Sequence, residues 1–437
     1  MACWVPNTGP DAARMLRAAG EENTEGLFRE LPEEIRLRGG LKLAEGRTEA
    51  EVLSEINRLS QKNTRFASVF RGAGAYRHFI PPVVESVAAR PEFLTAYTPY
   101  QAEISQGLLQ AIFEYQTMIC ELTGMDASNA SVYDGATAAC EGVFMCARGG
   151  KKVLVPDCVN PRTLSVMRGY MESYGLKLCV FPHTEGRIAP ESLAAHREDA
   201  CALYFEQPNY FGQIEDAQTV CAAAREGNIQ TVMGVNPIAM ALLMPPGQAG
   251  ADVAVGEGQP LGLPLAFGGP GLGFMACREK MMRSLPGRIV GQTTDMDGKT
   301  AYVLTLQARE QHIKRERASS NICSNEAHCA LTAAVYLSAM GGEGLAETAR
   351  NCMANAHYLA EKITRIKGFG LQYGGPYFHE FVTACPADAA GLMRSLEEHG
   401  ILGGLPIPGN RILWCATEMN MVEEMDELAR LLGKEAQ

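Results

Sequence analysis

The chain has 437 residues, long enough for a large core and two domains. Its 39 basic and 50 acidic residues leave a net charge of −11, which disfavours nucleic acid or an anionic membrane surface as a partner. With 46% hydrophobic and 20% charged residues, and no uncharged apolar run long enough to span a bilayer, the composition is that of a globular protein. The start, Met1-Ala2-Cys3-Trp4, lacks a basic region followed by an apolar one, so no secretory leader is expected. The 14 cysteines are scattered without a C-x-x-C and read as reduced thiols of a cytoplasmic protein. Neither they nor the eight dispersed histidines show metal-ligand spacing, so no metal is expected.

Apolar spacing predicts a first helix over about 8–20, with Pro10 near its start, and short helices at 24–28 and 32–36. Val52, Leu53, Ile56 and Leu59 share one face of a helix over 48–63, and Thr48 with Glu51 forms a capping box. Residues 1–70 thus read as a helical N-terminal arm that packs on a neighbouring subunit or on the main domain. Arg71-Gly72-Ala73-Gly74-Ala75-Tyr76 reads as a turn. The 97–107 stretch, before a helix over 108–123, is dense in hydroxyls and amides. Its Tyr97, Tyr100, Glu103 and Gln106 are either loop packing or groups that meet a ligand or a partner's active site; the residues alone leave both open. The 131–139 stretch feeds a small-residue helix from a glycine- and hydroxyl-bearing loop. Such a helix start can hold phosphate, but the simpler reading is a helix cap with close packing.

Beyond residue 151 strands are expected over 152–155, 178–181, 202–205, 231–235, 252–255 and 274–277. They alternate with helices, one opened by Asn160 and Pro161 and one over 215–226. This rhythm predicts a large α/β domain over 71–318, a mostly parallel central sheet flanked by helices. Ligands in such sheets sit at the carboxyl ends of the strands, here 206–210, 234–237 and 256–258. Two buried runs, a Gly/Pro-rich loop over 256–273 and a third apolar run match the layout of enzymes that hold pyridoxal phosphate on a lysine. In those enzymes an acid at one strand end pairs with the pyridine nitrogen, and a lysine in a following loop forms the Schiff base. Here Met233 stands at the expected acid position and Gln259 at the expected lysine position, and no lysine lies between Lys177 and Lys280. The charged 307–317 segment reads as a solvated helix, and 319–326 leads into a helix through 337. A smaller α+β domain is expected over 319–437, with strands at 380–383 and 411–415 and helices at 389–399 and after Asn420, capped by Asn420 with Glu423.

Several stretches together resemble one family. They are Ala73-Gly74-Ala75-Tyr76 with Ile80-Pro81-Pro82-Val83-Val84; Tyr97-Thr98-Pro99-Tyr100-Gln101 with Glu103-Ile104-Ser105-Gln106-Gly107; Ile112-Phe113-Glu114-Tyr115-Gln116; Tyr133-Asp134-Gly135-Ala136-Thr137; Phe267-Gly268-Gly269-Pro270; Arg309-Glu310-Gln311-His312-Ile313; and Ser320-Asn321-Ile322-Cys323. The chain looks like the alpha-subunit branch of the two-chain glycine dehydrogenases (decarboxylating), the P-protein of the glycine cleavage system. The resemblance implies a fold-type-I pyridoxal-phosphate-enzyme architecture. It also implies a homologous beta subunit that carries the lysine and the cofactor, so that this chain binds none, in an assembly of two alpha and two beta subunits. Such a complex decarboxylates glycine, with the pyridine ring as electron sink, and passes the aminomethyl group to the lipoyl arm of the H-protein while releasing CO2.

Fold-type-I sites are built across dimer interfaces. The resemblance therefore points to Tyr97, Thr98, Tyr100 and Glu103 as groups reaching the partner's site, with Glu103 orienting a ligand or exchanging protons. Gln106, Arg309, His312 and Asn321 become substrate or partner contacts, although a structural role is the more ordinary reading for Arg309, His312 and Asn321. Two other readings compete. One is a non-catalytic scaffold or regulatory homologue, and the other is an independent pyridoxal enzyme using Lys280.

Overall fold

The computed structural model describes residues 7–37, 39–147, 150, 152–318, 320–322 and 325–435. Residues 1–6, read above for a leader, and Ser319, Cys323 and Ser324 lie outside them. Contacts divide the chain into residues 1–64 and 65–437. The first unit holds helices Gly9–Ala18 and Glu49–Ser60 and the 3-10 turns Thr24–Phe28 and Glu33–Ile35. The capping box at Thr48 forms as its residues dictate. The Thr48 hydroxyl accepts from the Glu51 N–H at 3.3 Å, and the Thr48 N–H donates to the Glu51 carboxylate at 2.8 Å. Val52, Leu53, Ile56 and Leu59 are all exposed.

The second unit begins with β1 (Ser68–Val69) and is built on a seven-stranded sheet. Its strands are β2 (Ala127–Ser128), β3 (Lys152–Pro156), β4 (Lys177–Phe181), β5 (Ala200–Gln207), β6 (Gln230–Val235), β7 (Val253–Glu257) and β8 (Gly273–Cys277). The spatial order is β2-β8-β7-β6-β5-β3-β4. Strands β3 to β7 are mutually parallel, while β8 runs antiparallel to β7 and β2 antiparallel to β8. The β-branched runs form central strands because helices cover both faces of the sheet. Val232, Val253 and Val255 lie in a core with the helix Gly135–Cys146, while Met233, Val235 and Ala254 belong to the core on the other face.

Two further strands, β9 (Ile289–Thr294) and β10 (Thr300–Thr305), form an antiparallel hairpin. The charged 307–317 segment is not one helix. It is two 3-10 turns flanking a four-residue helix, Gln311–Lys314. Leu306 and Arg315 adopt φ of 54° and 53°, which no continuous helix accommodates. A helix Ala327–Thr364 follows, broken at Gly341 (φ 59°, ψ −179°).

The C-terminal region contributes β11 (Glu380–Ala384), β12 (Ile401–Leu402), β13 (Leu405–Ile407) and β14 (Arg411–Cys415). The antiparallel sheet order is β11-β14-β13, and β12 pairs with β1. The last helix, Val422–Glu435, is not capped by Asn420. Asn420 instead accepts from the Thr417 N–H and donates to the Val69 carbonyl, and Glu424 accepts from the Met421 N–H at 3.1 Å.

Candidate functional site

The carboxyl ends of β5, β6 and β7 open into a cavity of about 460 Å³. Glu206 is the last residue but one of β5, Gly234 lies near the end of β6 with Asn236 just beyond it, Glu257 ends β7, and Glu380 enters from β11. A glycine is required at 234, where a Cβ would lie 2.6 Å from the Tyr204 hydroxyl. That hydroxyl donates to Glu206 at 3.1 Å, and the Asn160 N–H donates to the other oxygen of Glu206 at 2.8 Å. Glu380 accepts from the Ala73 N–H at 2.6 Å and from the Tyr76 hydroxyl at 2.8 Å.

Burial pushes both carboxyls up to about 7. The hydrogen bonds oppose this in each, and the neighbouring Glu380 adds to it in Glu206. The ordinary value is 4.5, so the folded protein holds these protons to higher pH than the unfolded chain does. Their contribution to stability is therefore complete below about 4.5 and lost as pH rises through about 7. The melting temperature is expected to fall between pH 5 and 8, and to fall less steeply in a Glu206→Gln, Glu380→Gln double variant. Identical slopes would show that neither group titrates in this window.

The helix Gly135–Cys146 points its N-terminus at the same cavity. Asp134 caps it, accepting from the Thr137 N–H at 2.7 Å. The Gly135 N–H donates instead to Glu257 at 2.9 Å. Gln259 does not extend into the cavity. Its amide clamps Tyr76, accepting from that residue's N–H at 3.0 Å and donating to its carbonyl at 2.9 Å, and it donates to the Leu263 carbonyl at 2.8 Å. Met233 is fully buried and does not line the cavity, whereas Gly234, Val235 and Asn236 after it do. These residues do not fit pyridoxal phosphate. Among the described residues no lysine lines the cavity, and a carboxylate already sits at the helix start where a phosphate would bind. Lys280 lies by the start of β7, at the other end of the strands from the cavity, exposed and paired with Asp252 at 2.9 Å.

The second candidate region is the 97–106 segment. Tyr97 is 86% exposed, and Glu103 is exposed in a 3-10 turn, Ala102–Ile104. The Tyr100 hydroxyl accepts from Arg288 at 3.0 Å, whose guanidinium lies 5.1 Å from the ring centre, and His312 meets the same ring edge-on at 6.0 Å. The fold thus brings Tyr100 and His312 together and adds Arg288, which the sequence reading missed. Thr98 is half-buried, and its carbonyl accepts from the Tyr100 N–H at 2.9 Å. Asn321 is exposed.

Two expected contacts face inward. Gln106 pairs with the backbone of Tyr302 in both directions, at 2.9 and 2.8 Å, and so extends the edge of β10. Arg309 donates to the Leu306 and Gly287 carbonyls at 3.0 and 2.9 Å, tying the end of the hairpin to the loop before it. No contact among the described residues links Tyr97, Glu103 or Asn321 to the Tyr100 cluster.

One further polar group is closed on itself. Glu418 accepts from His78 Nδ1 at 2.8 Å, from the Cys352 thiol at 3.1 Å and from the Phe79 N–H at 2.7 Å. These three side chains are close enough to surround a cation; Glu418 joins the other two by hydrogen bonds, and the buried Nε2 of His78 has no partner.

Comparison with known proteins agrees with this geometry. The family model described as Glycine cleavage system P-protein matches residues 2–432. A probable glycine dehydrogenase (decarboxylating) subunit 1 of Desulfitobacterium hafniense is 46% identical, covering 99% of each chain. A crystal structure of glycine decarboxylase (P-protein) of the glycine cleavage system, in inhibitor-bound form, is similar with a TM-score of 0.93 and 43% identity, covering 99% of this chain and 100% of that one. Mouse CSAD shares the fold alone, with a TM-score of 0.71 at 14% identity over 96% of this chain and 94% of its own. The architecture is the fold-type-I pyridoxal-enzyme one. The chain belongs to the glycine cleavage system P-protein family.

Proposed function

We propose that this chain is the cofactor-free subunit of a two-chain glycine dehydrogenase (decarboxylating), active only together with a lysine-bearing beta subunit. The observation that carries this reading is a P-protein fold in which Gln259 stands at the position of the lysine with its amide tied to Tyr76, Met233 stands at the position of the acid, and Glu257 takes the helix-start N–H that a phosphate would use. Glycine cleavage then takes place on pyridoxal phosphate held by the partner, which supplies the electron sink for decarboxylation. The aminomethyl group passes to the lipoyl arm of the H-protein, in an assembly of two alpha and two beta chains.

This chain's part is to complete the partner's site from outside. Tyr97, with its exposed hydroxyl, and Glu103, with an exposed carboxylate, offer a hydrogen-bond donor and a proton acceptor. Tyr100, held by Arg288 and flanked by His312, presents a partly cationic rim that suits the carboxylate of glycine or an acidic H-protein surface. No described helix is long and apolar enough to cross a membrane. An acidic chain whose twelve described cysteines are all free suits the cytoplasm.

Reconstitution tests the proposal. The chain alone is expected to release no CO2 from labelled glycine. Adding the lysine-bearing chain and lipoylated H-protein is expected to start release, with the two chains in equal amounts. Full activity of the partner without this chain would make it a scaffold or regulator.

A further inference from the structure

The cavity carries an anion of its own. Glu257 is mostly buried at the end of β7, and three backbone donors converge on its carboxylate. Its Oε2 accepts from the Gly135 N–H at 2.9 Å, and its Oε1 accepts from the Gln259 and Leu272 N–H groups at 2.9 and 2.8 Å. Gly135 is the first residue of a twelve-residue helix. Converging backbone donors at a helix start form the usual seat of a phosphate, favoured by the helix dipole. The helix comes this close only because residue 135 is glycine, since a Cβ there would lie 2.9 Å from the Glu257 nitrogen. Asp134 takes a second donor of the same turn, the Thr137 N–H, so two carboxylates answer this helix start.

We propose that Glu257 is a built-in anion that fills the phosphate seat of the cavity and so excludes phosphorylated ligands, pyridoxal phosphate among them. This rests on the reading that the chain carries no cofactor, and it supplies a physical reason beyond the missing lysine. A dianionic phosphate would have to displace a carboxylate from three hydrogen bonds. It would also lie in one cavity with the carboxyls of Glu206 and Glu380, with Asp134 beside it on the same helix start. Restoring a lysine at Gln259 alone would therefore not restore cofactor binding.

The test is thermal unfolding of the full chain in sodium chloride, sodium formate and sodium phosphate at matched ionic strength. The wild type is expected to melt at the same temperature in all three. Glu257→Ala is expected to melt lower in chloride and to recover on the order of 2 °C or more in formate and in phosphate, as an external anion takes the vacated seat. Equal melting of Glu257→Ala in the three salts would overturn the proposal, and so would a phosphate response of the wild type. Should Glu257→Ala not fold, Glu257→Gln keeps the volume. Its single amide oxygen cannot serve both the Gly135 N–H and the Gln259 and Leu272 N–H groups, and its NH2 leaves one side without an acceptor, so a lower melting temperature with no phosphate response is expected, and melting equal to the wild type would overturn the proposal. Borohydride reduction of the wild type with pyridoxal phosphate separates the two levels. A lysine adduct would overturn the cofactor-free reading together with the proposal, whereas a phosphate response without an adduct would overturn the proposal alone.

Discussion

In the assembled two-chain complex, Glu103→Ala is expected to lower glycine turnover by about 10²-fold without dissociating the subunits, because a positioned general acid or base typically contributes about that much or more. The expectation rests on where Glu103 stands. It lies in a short 3-10 turn on the outside of this chain, between the exposed Tyr97 and the helix Gln106–Thr123, whose first residue is locked to β10. The carboxylate there is exposed and does not line this chain's own cavity. It is therefore placed to serve a neighbour. Tyr97→Phe is expected to act in the same direction and by less, since it removes a single hydroxyl. The measurement is CO2 release from labelled glycine, with size-exclusion chromatography of each variant complex to show that assembly is intact. A fall in kcat with little change in KM would mark an interaction made in the transition state. Wild-type turnover in both variants would remove this segment from the active site. Gln106→Ala should behave differently, weakening the β10 edge and lowering the melting temperature, because its amide bonds the Tyr302 backbone.

Trp414→Ala is expected to destabilise the chain by about 3–5 kcal/mol, the range for truncating a fully buried large aromatic side chain. Trp414 is fully buried in β14, directly opposite Phe381 on β11, and its ring nitrogen donates to the Thr383 hydroxyl at 2.9 Å. The strand it braces is the one that delivers Glu380 to the cavity, so the same substitution should disturb the Ala73 and Tyr76 hydrogen bonds to that carboxylate. Trp414→Phe separates packing from hydrogen bonding. It keeps most of the volume and is expected to cost only about 1 kcal/mol, mainly through the unpaired Thr383 hydroxyl. Thermal and urea unfolding of the two variants would decide the matter. Equal losses would mean that the hydrogen bond, not the buried volume, is what the fold depends on.

Much of the central sheet was legible because a strand buried on both faces must be a short run of apolar, often β-branched residues. Such runs occur at each of the six expected strands. Strand β2, only two residues long, leaves no such pattern. The β9–β10 hairpin was missed although Asp295-Met296-Asp297-Gly298 marks its turn, where Asp295 accepts from the Asp297 and Lys299 N–H groups. The 307–317 segment misled because charge density says nothing about φ, and Arg315 within it, like Leu306 just before it, has a positive φ.

At the cavity, the strand-end rule placed Glu206 and Glu257 on the rim correctly. It could not find Glu380, which arrives from another sheet far along the chain. Met233, read as the position of the acid, is fully buried outside the lining, which takes up Gly234, Val235 and Asn236 just beyond it. Gln106 and Arg309 drew attention as polar groups, yet each is engaged by backbone, a common use of a half-buried amide or guanidinium.

The central claim is that this chain completes an active site whose cofactor belongs to another subunit. It is tested most directly by borohydride reduction of the assembled complex in the presence of pyridoxal phosphate, followed by mass spectrometry of both chains. The account predicts a stoichiometric pyridoxyl adduct on one lysine of the partner and none on this chain. A stoichiometric adduct on any lysine here, Lys280 included, would contradict it, and would mean that Gln259, Gly234 and Glu257 do not prevent this chain from carrying the cofactor itself.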